Sequence, residues 1–358
     1  MNFEQQLKEL SERVEITSTT SYRIDGKAYS VFHNYAWSEY SGPLNLFGHN
    51  QNHDIQQQKQ LLESQLSMVL YSKFYCGIPD DKKILNLPKR NEREMFMQTL
   101  SAANRTQDTP DQNWKIYHSD AQSIWTEKNG KLRQAYPNSF IPAIPNSPLV
   151  VNQYIHFLRQ KENRHIQQVF YYVHSNQYME HDAPQVRIYW SIIPEGAAKL
   201  VALITEVLNA HNIAFNFKCL NHADLYHRAD SAVLYLEKRY FDYTLRVLKP
   251  HIPALDKYSL NIHPLFTHPI TKGVSFAEDP GNGQSFGMHR CQLIAKGLLN
   301  AYEKQQTHTS SISTGQINQA CIIEVFTSKG IAINRLHLNP DTLSLPIDFN
   351  EKNRESAS

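Results

Sequence analysis

Four short apolar runs in the middle of the chain, residues 169–173, 186–190, 214–218 and 232–236, constrain its fold more than any other feature. Each is five residues long and rich in Val, Ile, Leu and aromatic side chains, which predicts strands. Strand alternation sorts their faces. In 186–190, Arg187 and Tyr189 point one way while Val186, Ile188 and Trp190 point the other. In 214–218, Phe215 and Phe217 face a core, and Asn216 and Lys218 face out. If these strands are neighbours, Arg187 and Lys218 share a face. They are then either solvated sheet residues or parts of a site, and both readings stay open.

Helical periodicity appears on either side of these runs. A short polar helix is expected over 1–20, and another over 53–74, where Leu62, Leu66, Val69, Leu70 and Phe74 keep the period. Further helices are expected around 95–103, through Leu200, Leu203, Ile204, Val207 and Leu208, over 239–249 up to Pro250, over 286–302, and over 316–326. An extended stretch is expected at 29–33 and a strand at 114–117. A hairpin over 123–135 turns at Asn129-Gly130, and Pro142, Pro145 and Pro148 mark a connector. The expectation is an α+β protein: a central mixed or antiparallel sheet flanked by helices, with a helical N-terminal part. The corresponding division is 1–110 mainly helical, 111–335 α+β, and 336–358 a polar tail that frays from 350 onward.

The 358 residues carry a formal charge of +2, with 41% hydrophobic and 20% charged residues. Such a near-neutral balance suits a globular protein and argues against polyanion binding by bulk charge. Four scattered cysteines without a CxxC pair point to a reducing, cytoplasmic setting. The N-terminus lacks a signal-peptide pattern, and no apolar run is long enough to cross a membrane. Neither HExxH nor a Cys/His zinc pattern is found among the 17 histidines. GxSxG, the kinase motif set and nucleic-acid-binding signatures are also missing, so metal and nucleic acid are not expected.

The stretch 277–290 is the strongest chemical signal. Pro280, Gly281, Gly283 and Gly287 surround the start of the helix expected at 286, Ser285 is placed to cap it, and Arg290 lies in its early turns. Free backbone N–H groups, a helix dipole and a guanidinium would then converge as they do around phosphate. The plainer reading is an ordinary turn with an ordinary cap. The loop is not a P-loop, lacking Gly-Lys-Ser/Thr, nor a Rossmann turn, since no strand is read immediately before it. A second cluster, His227, Arg228 and Asp230, is either a structural ion pair beside a surface histidine or a phosphate ligand beside a general acid.

Several segments occur in a fixed order: 71–77, Arg187-Ile188-Tyr189-Trp190, Phe215-Asn216-Phe217-Lys218, 228–235, Pro264-Leu265-Phe266-Thr267, 273–280, and Ser285-Phe286-Gly287 with Arg290. This order, running from about Tyr71 to Tyr302, resembles the HopA effector-like family. That family takes its name from a type III secretion effector and includes the LanY-type lyase component of class V lanthipeptide and thioamitide biosynthesis. The resemblance implies a metal- and cofactor-independent phospho-Ser/Thr lyase. It would act on a precursor peptide phosphorylated by a kinase resembling aminoglycoside phosphotransferases, leaving dehydroalanine or dehydrobutyrine. Under this reading Lys218 is the base, its pKa lowered by burial and surrounding arginines. Arg187, Arg228 and Arg290 hold the phosphate, with donors from the Ser285 and Gly287 region. Tyr189 binds phosphate or polarises the substrate carbonyl. His227 is the favoured general acid, and His289 the other candidate. The alternative is an effector-like or phosphopeptide-binding protein without turnover.

Overall fold

The computed structural model describes residues 2–31, 54–79, 88–120, 122–180, 182–281, 283–307, 312–340 and 342. His33, the expected helix start at His53 and the tail from residue 350 lie outside them. The chain opens with α1 (Phe3–Arg13), β1 (Val14–Ser18), β2 (Ser21–Ile24) and β3 (Lys27–Ser30). The helix expected over 1–20 therefore stops at Arg13. Val14, Ile16 and Thr17 are β-branched, and Asp25-Gly26, with φ of 53° and 76°, turns the β2–β3 hairpin. Next come α2 (Ile55–Leu70), capped by Asp54, and α3 (Arg90–Ala103). A π-helical turn, Tyr71–Tyr75, extends α2.

The middle of the chain supplies β4 (Asp111–Ser119), β5 (Ile124–Lys128), β6 (Lys131–Ala135), β7 (Phe140–Pro142) and β8 (Tyr154–Phe157). These form a five-stranded sheet in the order β6-β5-β4-β8-β7, around a small core that includes Trp114, Ile116 and Phe157. Asn129-Gly130 makes the expected hairpin turn, with φ of 52° and 75°.

The larger sheet draws on β9 (Glu162–Gln167), β10 (Phe170–His174), β11 (Gln185–Trp190), β12 (Phe215–Leu220), β13 (Ala232–Glu237), β14 (His268–Thr271) and β15 (Val274–Glu278). Its order is β14-β15-β11-β13-β12-β10-β9, and every pairing is antiparallel, which decides between the mixed and antiparallel expectations. α4 (Pro194–Ala210) and α5 (Phe241–Leu248) interrupt the strands, and α6 (Phe286–Thr307) and α7 (Thr314–Ser328) follow them.

Register organises this sheet into two faces. Val173, Phe217, Leu234, Ile188 and Phe276 lie on one, buried in the core shared with α3, α4 and α5. The other face carries two rows: His174, Asn216, Tyr235, Arg187 and Ala277; then Tyr172, Lys218, Val233, Tyr189 and Ser275. Helices α2, α6 and α7 cover this second face over β11, β13 and β15, where Tyr189, Val233 and Ala277 join Leu70, Phe286 and Ile294 in a core. Over β10 and β12 the cover ends, leaving Tyr172, His174, Asn216 and Lys218 half-buried.

Candidate functional site

The edge of that helical cover creates the candidate site. The alternation expected from the sequence does put Arg187, Tyr189 and Lys218 on one face. Tyr235 lies between the two cations: the Arg187 guanidinium is 5.1 Å from its ring centroid and the Lys218 ammonium 5.7 Å. Lys218 is also 4.2 Å from the Phe170 ring and 5.7 Å from that of Tyr172, and it donates to Gln167 Oε1 at 3.4 Å. Three aromatic rings and a neighbouring Arg thus form a partly dry cage around one ammonium.

This cage corrects the expected electrostatics. Burial pushes the Lys218 ammonium down, but Tyr235, Tyr172 and Asp230 together hold it above the ordinary lysine range. Two of the three arginines expected to depress it, Arg187 and Arg228, are themselves paired with carboxylates. Arg187 Nε donates to Asp279 Oδ2 at 2.7 Å, and its Nη2 donates to the same oxygen and, at 2.8 Å, to the Gln284 carbonyl. Arg228 makes a bidentate pair with Asp230, Nε–Oδ1 and Nη2–Oδ2 both 2.8 Å, at 2% and 6% side-chain exposure. That geometry supports the structural-pair reading of Arg228. Arg290 is fully buried, and its Nε and Nη2 donate to the Leu336 and Leu338 carbonyls at 2.9 and 2.8 Å. It clamps the segment that follows α7. Burial draws its guanidinium down to about 10, against the pull of Tyr189 and Glu278.

The glycine loop differs from its expected form in two respects. A strand, β15, runs directly into it. The loop also turns acceptors, rather than a ring of donors, toward Arg187: the Asp279 carboxylate and the Gln284 carbonyl. Gly281 N–H is taken by Asp279 Oδ1 at 2.9 Å, and Ser285 Oγ accepts from Met288 N–H at 3.1 Å as the helix cap. Gly281 and Gly283 have φ of 77° and 76°, a region that favours glycine. Gly287 has another purpose. A Cβ there would fall 2.4 Å from the Tyr75 ring, so its absence lets α6 close on Tyr75. Gly287→Val is expected to cost about 1–3 kcal/mol in urea unfolding; an unchanged midpoint would show that Tyr75 yields freely.

Tyr189 is buried, its ring 6.3 Å from that of Tyr75, and burial raises its hydroxyl above the ordinary phenol range. His227 Nδ1 is 2.8 Å from the Asp224 carbonyl oxygen, in the loop before β13. His289, beside Arg290, is drawn down to about 4 by burial and by that guanidinium, so it is neutral at physiological pH. Tyr172 and Tyr235, part of the cage, and Asp279, which holds Arg187, went unpredicted, whereas the Asp230 partner of Arg228 was one of the two readings of that cluster. For the two tyrosines, strand alternation onto the face of Lys218 and Arg187 was the available signal. Among the described residues, no three His, Cys, Asp or Glu side chains form a metal-holding group, and no helix is long and apolar enough to cross a membrane.

Comparison with known proteins supports the resemblance read from the sequence. Residues 161–338 match the HopA1 effector protein family. The fold is similar to an effector protein from Pseudomonas syringae pv. tomato strain DC3000, at 17% identity and a TM-score of 0.44, covering 78% of this chain and 95% of that one. An effector protein from Pseudomonas syringae pv. syringae strain 61 is similar at 13% identity and a TM-score of 0.40, covering 79% and 98%. No curated protein matches.

Proposed function

We propose that this chain, whose residues 161–338 match the HopA1 effector protein family, is a lyase that removes phosphate from a phosphorylated Ser or Thr of a peptide by β-elimination. The observation carrying this reading is the single sheet face on which Lys218, Tyr172, Tyr235 and Arg187 meet at the edge of the helical cover. An anion entering there meets an ammonium, two phenols and a guanidinium. Lys218 takes the α-proton, the C–H electrons form the Cα=Cβ bond, and the Cβ–O bond breaks as phosphate leaves. Arg187, released from Asp279, offsets charge on the leaving oxygens. Tyr172 or Tyr235 is better placed than His227 to return a proton, since both flank Lys218. A phosphorylated precursor peptide, with a kinase partner to supply it, remains the proposed context, and the chemistry assigns no role to a metal.

Mass spectrometry of a degenerate peptide pool with a central phosphothreonine tests this. Wild-type protein is expected to give products that have lost one phosphoric acid, and Lys218→Ala to slow the reaction by about 10²–10⁴-fold. An equal rate in Lys218→Ala would remove the proposed base. Because Lys218 is held above its usual range, its neutral fraction is small at pH 7 and grows about tenfold per pH unit. The rate is therefore expected to rise between pH 7 and 9 with a slope near one. A flat profile would assign the proton abstraction to another group.

The persistent charge on Lys218 favours one other reading: a phosphopeptide-binding protein without turnover, in keeping with the effector members of the family. Tight binding with unchanged phosphopeptide in the same assay would select it.

A further inference from the structure

A groove of about 500 Å³ lies between the five-stranded sheet and the β9–β10 edge of the seven-stranded sheet. Asn138, Ser139, Leu158 and Gln160 come from the first side, and Asn163 and His174 from the second. We propose that this groove binds the polypeptide flanking the modified residue, as an extended segment. The proposal rests on the phosphosite reading above and deepens it by assigning the surface that holds the peptide on one side of the phosphorylated residue.

Three observations carry it. The first is continuity. His174 stands in the same row as Asn216, Tyr235 and Arg187, and its neighbour on that face of β10 is Tyr172, the partner of Lys218. Two strand residues span about 7 Å, so a chain whose phosphorylated side chain meets Lys218 enters the groove within a few residues.

The second is the chemistry of the lining. Asn138 and Gln160 each offer both donor and acceptor atoms, and Asn163, whose Oδ1 accepts from the His165 and Ile166 N–H groups, still offers its amide N–H; this suits the alternating N–H and C=O groups of a peptide backbone. The charged groups of the lining are engaged: the exposed Asp108 carboxylate accepts from the Lys161 N–H at 2.7 Å. Arg159 donates to the Ser175 and Gln177 carbonyls and stacks 3.8 Å from the Tyr178 ring centroid, and Glu162 is held by Tyr171 and Arg164. A small ionic ligand would find little to hold it there. The volume lies within the range of ordinary ligand sites and would hold about three or four residues.

The third is the edge. β9 ends the seven-stranded sheet, and a terminal strand offers backbone groups to an added strand. The opposite wall, with Asn138, Ser139, Leu158 and Gln160, lies before the matched stretch 161–338, so the groove joins that stretch to a unit outside it.

Fluorescence anisotropy with a labelled degenerate dodecapeptide pool carrying a central phosphothreonine tests the proposal. Capped phosphothreonine and inorganic phosphate serve as competitors. Gln160→Trp fills the groove and Leu158→Arg charges it; both positions are exposed and lie outside the Lys218 cage. Wild-type protein is expected to bind the dodecapeptides at least about tenfold more tightly than capped phosphothreonine. Both variants should lose about tenfold for the dodecapeptides, keep their melting temperatures, and keep wild-type affinity for inorganic phosphate. Equal affinity of the two ligands, or unaltered dodecapeptide binding by both variants, would overturn the groove and leave the phosphosite standing. Loss of phosphate and phosphothreonine binding, with groove-dependent binding of an unphosphorylated pool, would overturn the phosphosite and keep the groove. A dimer in sedimentation that Leu158→Arg dissociates would give the groove to a second copy of the chain and end the proposal.

Discussion

Arg228→Ala is expected to lower the stability of the protein by about 3–5 kcal/mol, a larger loss than for either of the other two arginines proposed from the sequence. The pair it breaks is sealed: Arg228 is 2% exposed and Asp230 4%. Asp230 also receives the Tyr71 hydroxyl at 3.4 Å, and Arg228 Nη2 lies 3.2 Å from Cys76 Sγ. Burial alone would raise the Asp230 carboxyl, but Arg228 holds it below the ordinary range. Removing the guanidinium leaves a buried carboxylate that must either stay charged without its main partner or take up a proton. Replacing both groups, Arg228→Met with Asp230→Leu, removes the demand and should recover most of the loss. Urea midpoints of the single and double variants read this directly. An Arg228→Ala protein with wild-type stability and reduced phosphate affinity would return Arg228 to the role of phosphate ligand.

The second large effect is acid lability centred on His337. Its ring packs 4.7 Å from that of His268, 5.1 Å from Phe276 and 5.4 Å from Phe3. Burial, then His268, Arg290 and Arg335, draw it down to about 3, and burial lowers His268 as well. The sign follows from proton counting. Below an unfolded value of about 6.5, the unfolded chain takes up a proton that the folded one refuses. Stability is therefore complete above pH 6.5 and falls as the pH drops toward 3. By pH 4.5 the loss from His337 alone is about 2–3 kcal/mol. His337→Phe keeps an aromatic ring in that apolar setting and removes the titration. Its urea midpoint should fall less than that of the wild type between pH 7 and 4.5. Parallel losses in the two proteins would place the acid sensitivity elsewhere, in the paired carboxylates.

The fold was legible wherever one residue period dominated. The strands at Phe170–His174, Gln185–Trp190, Phe215–Leu220 and Ala232–Glu237 and the helix at Pro194–Ala210 all lie where alternation or the helical stripe places them. The elements that went unread lack such contrast. β9, with Glu162, Arg164 and Gln167, is a polar edge strand. β15 is buried at all five positions and sits close to a glycine loop that dominates the local sequence. The N-terminal hairpin did carry a signal, the Asp25-Gly26 turn, in a stretch between the expected helix and the expected extended segment.

The site was legible in its alternation and obscure in its charge balance. Periodicity puts Arg187 and Lys218 on one face. It cannot say that Asp279, 92 residues along the chain from Arg187, returns to meet it. The one local pair, Arg228 and Asp230, is separated by two residues and was visible as an alternative. Whether a cation is available to a substrate depends on partners that only the tertiary fold supplies.

The way the second face of the large sheet is covered bears on where this protein can be cut. The stretch 161–338 contains that sheet with α6 and α7, yet their packing is completed by Phe3, Leu7, Leu10, Tyr22, Leu62 and Leu66 from well before it. Asn318 of α7 donates to the Ser11 and Val14 carbonyls, and Phe3 lies against His337. The beginning and end of the described chain thus close over each other like the two halves of a clasp. A boundary drawn by sequence likeness is therefore not a boundary of folding: an excised 161–338 fragment would bare the apolar flank on which half of its own sheet depends.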